Sequence, residues 1–270
     1  MTIAETAYAK INLALHVRAR RDDAYHEIET LFAFVDEGDE LVAESAEFDE
    51  VVVTGEFAGE IGDPFGNIVA KALSALPHDG GWKITLEKNL PVAAGLGGGS
   101  ADAGAVFRMI EREDGLPDDW HARAAKLGAD VPACVDSVVC IGRGKGTDLR
   151  PVTNDLARKP VLLVNPRVPM TTGPVFAAWD GEDRGPMPEG SPREIALAGR
   201  NDLEAPAIGL CPAIGDVLTA LETFDPVVAR MSGSGATCFA LFEEHDALLD
   251  AMERLRFGKP QWWIKGGLLR

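Results

Sequence analysis

Trp82-Lys83-Ile84-Thr85-Leu86-Glu87-Lys88-Asn89-Leu90-Pro91-Val92-Ala93-Ala94-Gly95-Leu96-Gly97-Gly98-Gly99-Ser100-Ala101-Asp102-Ala103 is the stretch on which the fold turns. Up to Leu90 apolar and polar residues alternate, the period of a half-buried strand. From Ser100 the apolar residues Ala103, Val106, Phe107 and Ile110 recur at helical spacing until Gly115 stops them. The order is strand, glycine-rich loop, helix. Each glycine loses roughly 0.5–1 kcal/mol against alanine when ordered, and a tight turn needs one or two. A surplus suits a backbone that must approach a ligand with no Cβ in the way, its N–H groups turned inward and a helix N-terminus behind them. Phosphate is the natural guest. The spacing matches neither G-x-x-x-x-G-K-[ST] nor G-x-G-x-x-G, since Ser100 stands at the last glycine position. A flexible connector, or a helix cap at Ser100, is the alternative.

Outward from this stretch, Ala7 to Val17, Thr30 to Val35 and Glu50 to Thr54 read as strands, and Asn67 to Leu76 as a short helix. A helix over Asp119 to Leu127 ends at Gly128, and a strand over Ser137 to Arg143 enters a turn at Gly144-Lys145-Gly146. Lys159 to Asn165 begins a second set of strands, joined by Val227 to Met231, Thr237 to Phe242 and Trp262 to Lys265, with helices at Ala213 to Thr223 and Asp246 to Arg256. Asp180 to Pro192 reads as a loop, and Asn201-Asp202-Leu203-Glu204 as a helix start. The mixture lacks strict βα alternation and predicts two α+β domains, residues 1–155 and 156–270. A second glycine cluster, Ser232-Gly233-Ser234-Gly235-Ala236, lies between two apolar strands, where a hairpin connection explains it equally well.

Acidic residues outnumber basic ones by 43 to 26 in 270 residues, and the net charge of −17 opposes binding to nucleic acid or an anionic membrane. No apolar run of membrane-spanning length and no signal peptide is legible, which predicts a cytoplasmic protein. Cys134, Cys140, Cys211 and Cys238 show no metal-site spacing and read as buried thiols, so no protein-held metal is expected. An anionic ligand would then rely on backbone N–H groups, a metal ion it carries and a few lysines.

Three segments, Ala9-Lys10-Ile11-Asn12-Leu13, Pro91 through Ala103, and Met231 through Thr237, resemble in order and spacing the signature regions of the GHMP kinases (galactokinase, homoserine kinase, mevalonate kinase and relatives). Asp23-Ala24-Tyr25-His26-Glu27-Ile28 and Leu127-Gly128-Ala129-Asp130-Val131-Pro132 narrow the resemblance to the diphosphocytidyl-methylerythritol kinases. It implies an N-terminal mixed-sheet nucleotide-binding domain and a C-terminal ferredoxin-like α/β sandwich. It also implies transfer of the ATP γ-phosphoryl group to the C2 hydroxyl of a CDP-bearing methylerythritol, with Mg²⁺ carried by the nucleotide. The carry-over makes Asp130 the catalytic base and Lys10 its cationic partner. It assigns Pro91, Ala93, Ala94, Gly95, Leu96, Gly97, Gly98, Gly99, Ser100 and Ala101 to the nucleotide, with Asn67 and Lys88 on the adenine side. Asn12, Tyr25, His26, Thr172 and Phe176 fall to the CDP-bearing substrate. By residue type alone, Lys10 could be a solvated strand lysine, Asp130 a helix N-cap and Phe176 a core aromatic.

Ala24 replaces the subfamily's usual glycine, Ala101 a frequent second serine, and Cys134 a bulkier apolar residue. Expected partners are the small-molecule substrate alone, for a monomer or weak homodimer. The rival readings are a homoserine- or mevalonate-type kinase, or a non-catalytic nucleotide-binding regulator.

Overall fold

The computed structural model describes residues 2–61 and 67–270. In chain order the elements are β1 (Thr2–Arg20), β2 (His26–Ala46), β3 (Glu50–Thr54), α1 (Ile68–Ala75), β4 (Gly81–Glu87), α2 (Gly98–Glu113), α3 (Trp120–Leu127), α4 (Val131–Asp136), β5 (Cys140–Gly144), β6 (Asp148–Pro151) and β7 (Pro160–Asn165). There follow α5 (Thr172–Ala177), α6 (Pro192–Ala198), α7 (Glu204–Leu210), α8 (Ala213–Glu222), β8 (Val228–Met231), β9 (Cys238–Leu241), α9 (His245–Gly258) and β10 (Trp263–Leu268). They form two compact units interleaved in sequence: Met1–Ala9, Gly38–Val92 and Gly97–Ser137 in the first, Lys10–Glu37, Ala93–Leu96 and Val138–Arg270 in the second.

In the first unit, β4 is sandwiched in its sheet. It runs antiparallel to the distal half of β2, Glu40 facing Glu87, and parallel to β3, Val52 facing Thr85. The alternation of Trp82, Ile84 and Leu86 buries one face of β4, as the period of 2 demands. Helices α1 and α4 pack on α2, which buries Ala103, Val106, Phe107 and Ile110 and ends where Gly115 takes a φ of 79°. Gly104 lets α4 close onto α2: a Cβ there would run into the carbonyl of Cys134. Ser100 is not a cap. The N-cap is Gly97, in the left-handed region at φ 62°, and Ser100 lies inside the helix.

The second unit holds a four-stranded antiparallel sheet in the order β10-β7-β9-β8, with α8 and α9 packed against it. Read along the chain as β7, α8, β8, β9, α9, β10, this is the ferredoxin-like β-α-β-β-α-β arrangement expected from the resemblance. The proximal half of β2 pairs with β5 in the same unit, and β5 with β6, turning at Gly144-Lys145-Gly146 as expected. The second glycine cluster does connect the antiparallel pair β8 and β9, so the hairpin reading holds for it.

Three expectations fall short. β1 and β2 each run well beyond the predicted segments, α4 occupies residues assigned to no element, and Ser137 is its left-handed C-cap rather than a strand start. The short helices α5 and α6 were not expected either, although Ser191 and Glu194 form a capping box that announces α6; α7 begins where Asn201-Asp202-Leu203-Glu204 reads as a helix start. All four cysteines are buried free thiols.

Candidate active site

In the first unit the strand-to-helix turn is underlain by buried charge. Lys88, at the exit of β4, donates from Nζ to Asp39 of β2 and, at 2.8 Å, to Asp102 of α2. Its backbone N–H and C=O are also engaged, by Thr54 and Phe57. Burial works against the Lys88 ammonium, but Asp102 and then Asp39 outweigh it and hold its pKa above the ordinary value. The resemblance puts Lys88 on the adenine side; here its backbone groups are bonded and its buried ammonium is committed to the two carboxylates Asp39 and Asp102. A Cβ on Gly98 would sit 3.2 Å from Lys88 Nζ, so the loop rests on that ion pair.

Asn67 caps α1, its Oδ1 accepting from Val69 N at 2.9 Å, while its buried Nδ2 has no partner among the described residues. An orphaned donor of this kind suits a ring-nitrogen acceptor such as adenine offers. Asp130 stands at the N-cap of α4, and its side chain makes no capping hydrogen bond there. The buried Ala101 lies on the packed side of α2.

In the second unit Lys10 is buried, not a solvated strand residue. Its Nζ donates to Asn12 Oδ1 at 2.9 Å and lies 5.2 Å from the centre of the Phe32 ring. Asn12 Nδ2 donates to Thr30 at 2.8 Å, and Thr30 to the carbonyl of Ala14 at 2.7 Å, so the lysine is held by a relay fixed to the strand backbone. Ser232 accepts from Asn12 N at 3.3 Å and donates to the carbonyl of Gly95 at 2.8 Å. Thr237 N donates to Ala94 O, and Lys10 N to Leu96 O. The second glycine cluster is thus a scaffold for Ala93–Leu96: Gly95, at φ 78°, presses so closely on the Ser232 carbonyl that no Cβ fits. Asn201 ties the cluster down by donating to the carbonyls of Met231 and Gly233, both at 2.8 Å.

An aromatic group occupies another part of this unit. His26 lies 4.8 Å from Phe176 and 5.6 Å, edge-on, from Trp179. Burial, then the nearby Arg20, push the His26 pKa below its ordinary 6.5, and its Nε2 has no partner among the described residues. Phe176 also packs on the core. Tyr25 is half exposed under the ammonium of Lys145, 4.5 Å from its ring centre, and Lys145 also pairs with Asp23 at 3.7 Å. Thr172 accepts from or donates to Ser234 at 3.1 Å. Ala24, where glycine is usual, keeps the turn by taking a φ of 65°. Trp179, Asp39, Asp102, Thr30 and Ser232 were not singled out from sequence. Asp39 sits in an acidic run that reads as a solvated face, and Trp179 follows Phe176 at a helical spacing that could have flagged it.

Residues 67–137 match the family model for the GHMP kinases N terminal domain and residues 189–259 that for GHMP kinases C terminal. The chain is 66% identical, over all of its length and 94% of the relative's, to a protein of Novosphingobium aromaticivorans named 4-diphosphocytidyl-2-C-methyl-D-erythritol kinase. The chain belongs to that family of GHMP kinases. A relative of the same name from Erythrobacter litoralis is 62% identical over 99% of the chain and 100% of its own length. A crystal structure of a 4-(cytidine 5'-diphospho)-2C-methyl-D-erythritol kinase superposes with a TM-score of 0.82 at 33% identity, covering 99% of both chains. A homoserine kinase from Cytophaga hutchinsonii, at 18% identity and a TM-score of 0.67 over 98% of this chain and 94% of its own, shares the fold. Among the described residues of this family member, no helix is long and apolar enough to cross a membrane, and no group of three His, Cys, Asp or Glu could hold a metal ion.

Proposed function

We propose that this family member transfers the γ-phosphoryl group of ATP to the C2 hydroxyl of 4-diphosphocytidyl-2-C-methyl-D-erythritol, giving the 2-phosphate and ADP in the non-mevalonate route to isoprenoid precursors. One observation carries the reading: relatives bearing that kinase name align along the whole chain at 66% and 62% identity. The two rivals have less behind them. The homoserine kinase likeness extends to the fold alone, and a non-catalytic regulator would have no use for a buried lysine held by a relay.

Asp130 is assigned as the base: it receives the proton of the C2 hydroxyl as that oxygen bonds to the γ-phosphorus and the bond to the β-phosphate oxygen breaks. Phosphoryl transfer is loose, so the base need only receive the proton as the new bond forms. Lys10, fixed by Asn12, orients the hydroxyl and offsets charge on the acceptor side. Bound ATP with its Mg²⁺ supplies the phosphoryl group and neutralises much of its own charge. Two features fit the nucleotide to this chain: the glycine-rich turn at Gly95–Gly99 and the orphaned Asn67 amide. Pro91 and residues 93–101 are assigned to its phosphates, and the metal to the phosphates rather than to a protein cage. On the other substrate, Tyr25 and Phe176 offer faces to the cytosine, His26 Nε2 its polar edge, and Thr172 a hydroxyl to the diphosphate. Residues 1–155 and 156–270 are taken as the two family domains of a cytoplasmic enzyme, monomeric or weakly dimeric.

A coupled ADP-release assay with the CDP-bearing alcohol, beside homoserine and mevalonate, tests the substrate. Asp130→Asn should lower turnover about 10²-fold or more with the fold retained. Undiminished ADP release by that variant would refute the base, and preference for homoserine or mevalonate would refute the substrate.

A further inference from the structure

The buried charges beneath the glycine-rich turn take no part in the transfer just described, yet they form a hydrogen-bonded ionic cluster inside the first unit. Asp39 is wholly buried. One of its oxygens receives Lys88 Nζ, and the other accepts from the backbone N–H of Asn89 at 2.6 Å and of Leu90 at 2.8 Å. These two amides lead directly into Pro91 and the turn. Lys88 bridges to Asp102, one turn into α2, whose second oxygen is buried without a partner among the described residues. Gly98 lies on top: a Cβ there would stand 3.2 Å from Lys88 Nζ and 3.6 Å from Asp39 Oδ2.

We propose that Asp39 is a positioning residue for ATP, which through Lys88 and the Asn89 and Leu90 amides holds the turn in its phosphate-binding shape and sets how much negative charge Asp102 presents beneath it. The inference deepens the kinase reading and rests on the turn receiving ATP phosphates.

The physical argument concerns one proton. The N-terminus of α2 offers partial positive charge to a phosphate, and an ionised carboxylate nearby competes for it. Burial raises the Asp102 pKa to about 7; Lys88 opposes the rise and the Asp39 charge adds to it. Lys88 and Asp39 are the charged groups facing Asp102, from the exit of β4 and from β2. With Asp102 protonated, Lys88 and Asp39 cancel. With it ionised, the trio carries a net negative charge under the turn. ATP, itself an anion, binds the protonated form better, so its affinity falls as pH rises through about 7 and binding takes up a proton.

Calorimetric titration of the full chain with ATP and Mg²⁺, between about pH 6 and about pH 8 in buffers of different ionisation enthalpy, tests this without any acceptor alcohol. The native chain should show proton uptake and an affinity several-fold weaker at the alkaline end. Asp39→Ala should weaken ATP about tenfold at every pH, since one ionic and two amide hydrogen bonds holding the turn are lost. It should also shift the pH dependence to lower pH, because the Asp39 charge no longer adds to the rise of the Asp102 pKa while Lys88 still opposes it. In assays, KM for ATP should rise while kcat and KM for the alcohol move less than about twofold. Asp102→Asn, which keeps an acceptor for Lys88 but removes the titration, should bind ATP with one affinity across the range, and decides the matter if Asp39→Ala does not fold. A native chain without pH dependence, an Asp102→Asn variant that keeps it, or a folded Asp39→Ala that binds ATP normally would each overturn the proposal. Normal, proton-linked ATP binding without turnover of the CDP-bearing alcohol would instead overturn the substrate reading and leave this inference standing.

Discussion

Ala24 occupies a left-handed turn at φ 65° just before the Tyr25-His26 pair. For a residue with a Cβ this conformation costs roughly 1–2 kcal/mol, partly offset by the lower unfolded-state entropy of alanine against glycine. Ala24→Gly should therefore raise unfolding stability by up to about 1 kcal/mol in a urea titration, and a loss would show that the turn is unstrained. His26 gives a prediction with a sign. Its folded pKa lies below the unfolded 6.5, chiefly through burial and secondly through Arg20, so the stability it lends is present above that value and is lost as pH falls through the folded pKa. KM for the CDP-bearing alcohol should be flat down to pH 6.5 and climb only below it, and His26→Asn should remove the climb. At this scale the sequence was readable where backbone geometry limits the residue type, as with Gly95 and Gly97, which take φ of 78° and 62°. It was silent where a residue has a partner distant in sequence: the resemblance puts Lys88 on the adenine side, and only the fold shows its two carboxylate neighbours.

The contact between α2 and α4 depends on Gly104 having no side chain, because the Cys134 carbonyl fills the space where a Cβ would lie. Overpacking of this kind typically costs about 1–3 kcal/mol, so Gly104→Ala should lose that much in chemical denaturation. Because Asp130 opens α4, the same variant should also lower kcat, and an unchanged kcat would show that α4 yields without moving its N-terminus. Long elements with a clear period, such as α2, α8 and α9, were legible within a residue or two of their bounds, and β4 within three. The helices α4, α5 and α6 escaped, and of α7 only the start was legible, because six or seven residues hold too few turns for a period to declare itself. β2 escaped for another reason. The acidic run Asp36-Glu37-Gly38-Asp39-Glu40 interrupts its apolar pattern, yet the strand continues because Lys88 and backbone amides satisfy Asp39 inside.

A chain of net charge −17 repels itself in every compact state, so added salt should raise its melting temperature by screening, and a fall would mean that its ion pairs outweigh the repulsion. Which α+β halves to expect was legible from the two sets of strands and helices; their interleaving was not, since nothing local in β1 or β2 announces that each strand passes from one compact unit to the other. That passage bears on how the protein is born. Val35 bridges to Leu269, and the carbonyl of Phe34 accepts from the amide of Arg270. At roughly 5–20 residues per second on the ribosome, an early strand waits on the order of tens of seconds for its late partner. During that wait the nascent polypeptide carries β-rich, water-averse surface that only chaperones can shield, so its yield in the cell should track holdase capacity more closely than its final thermodynamic stability.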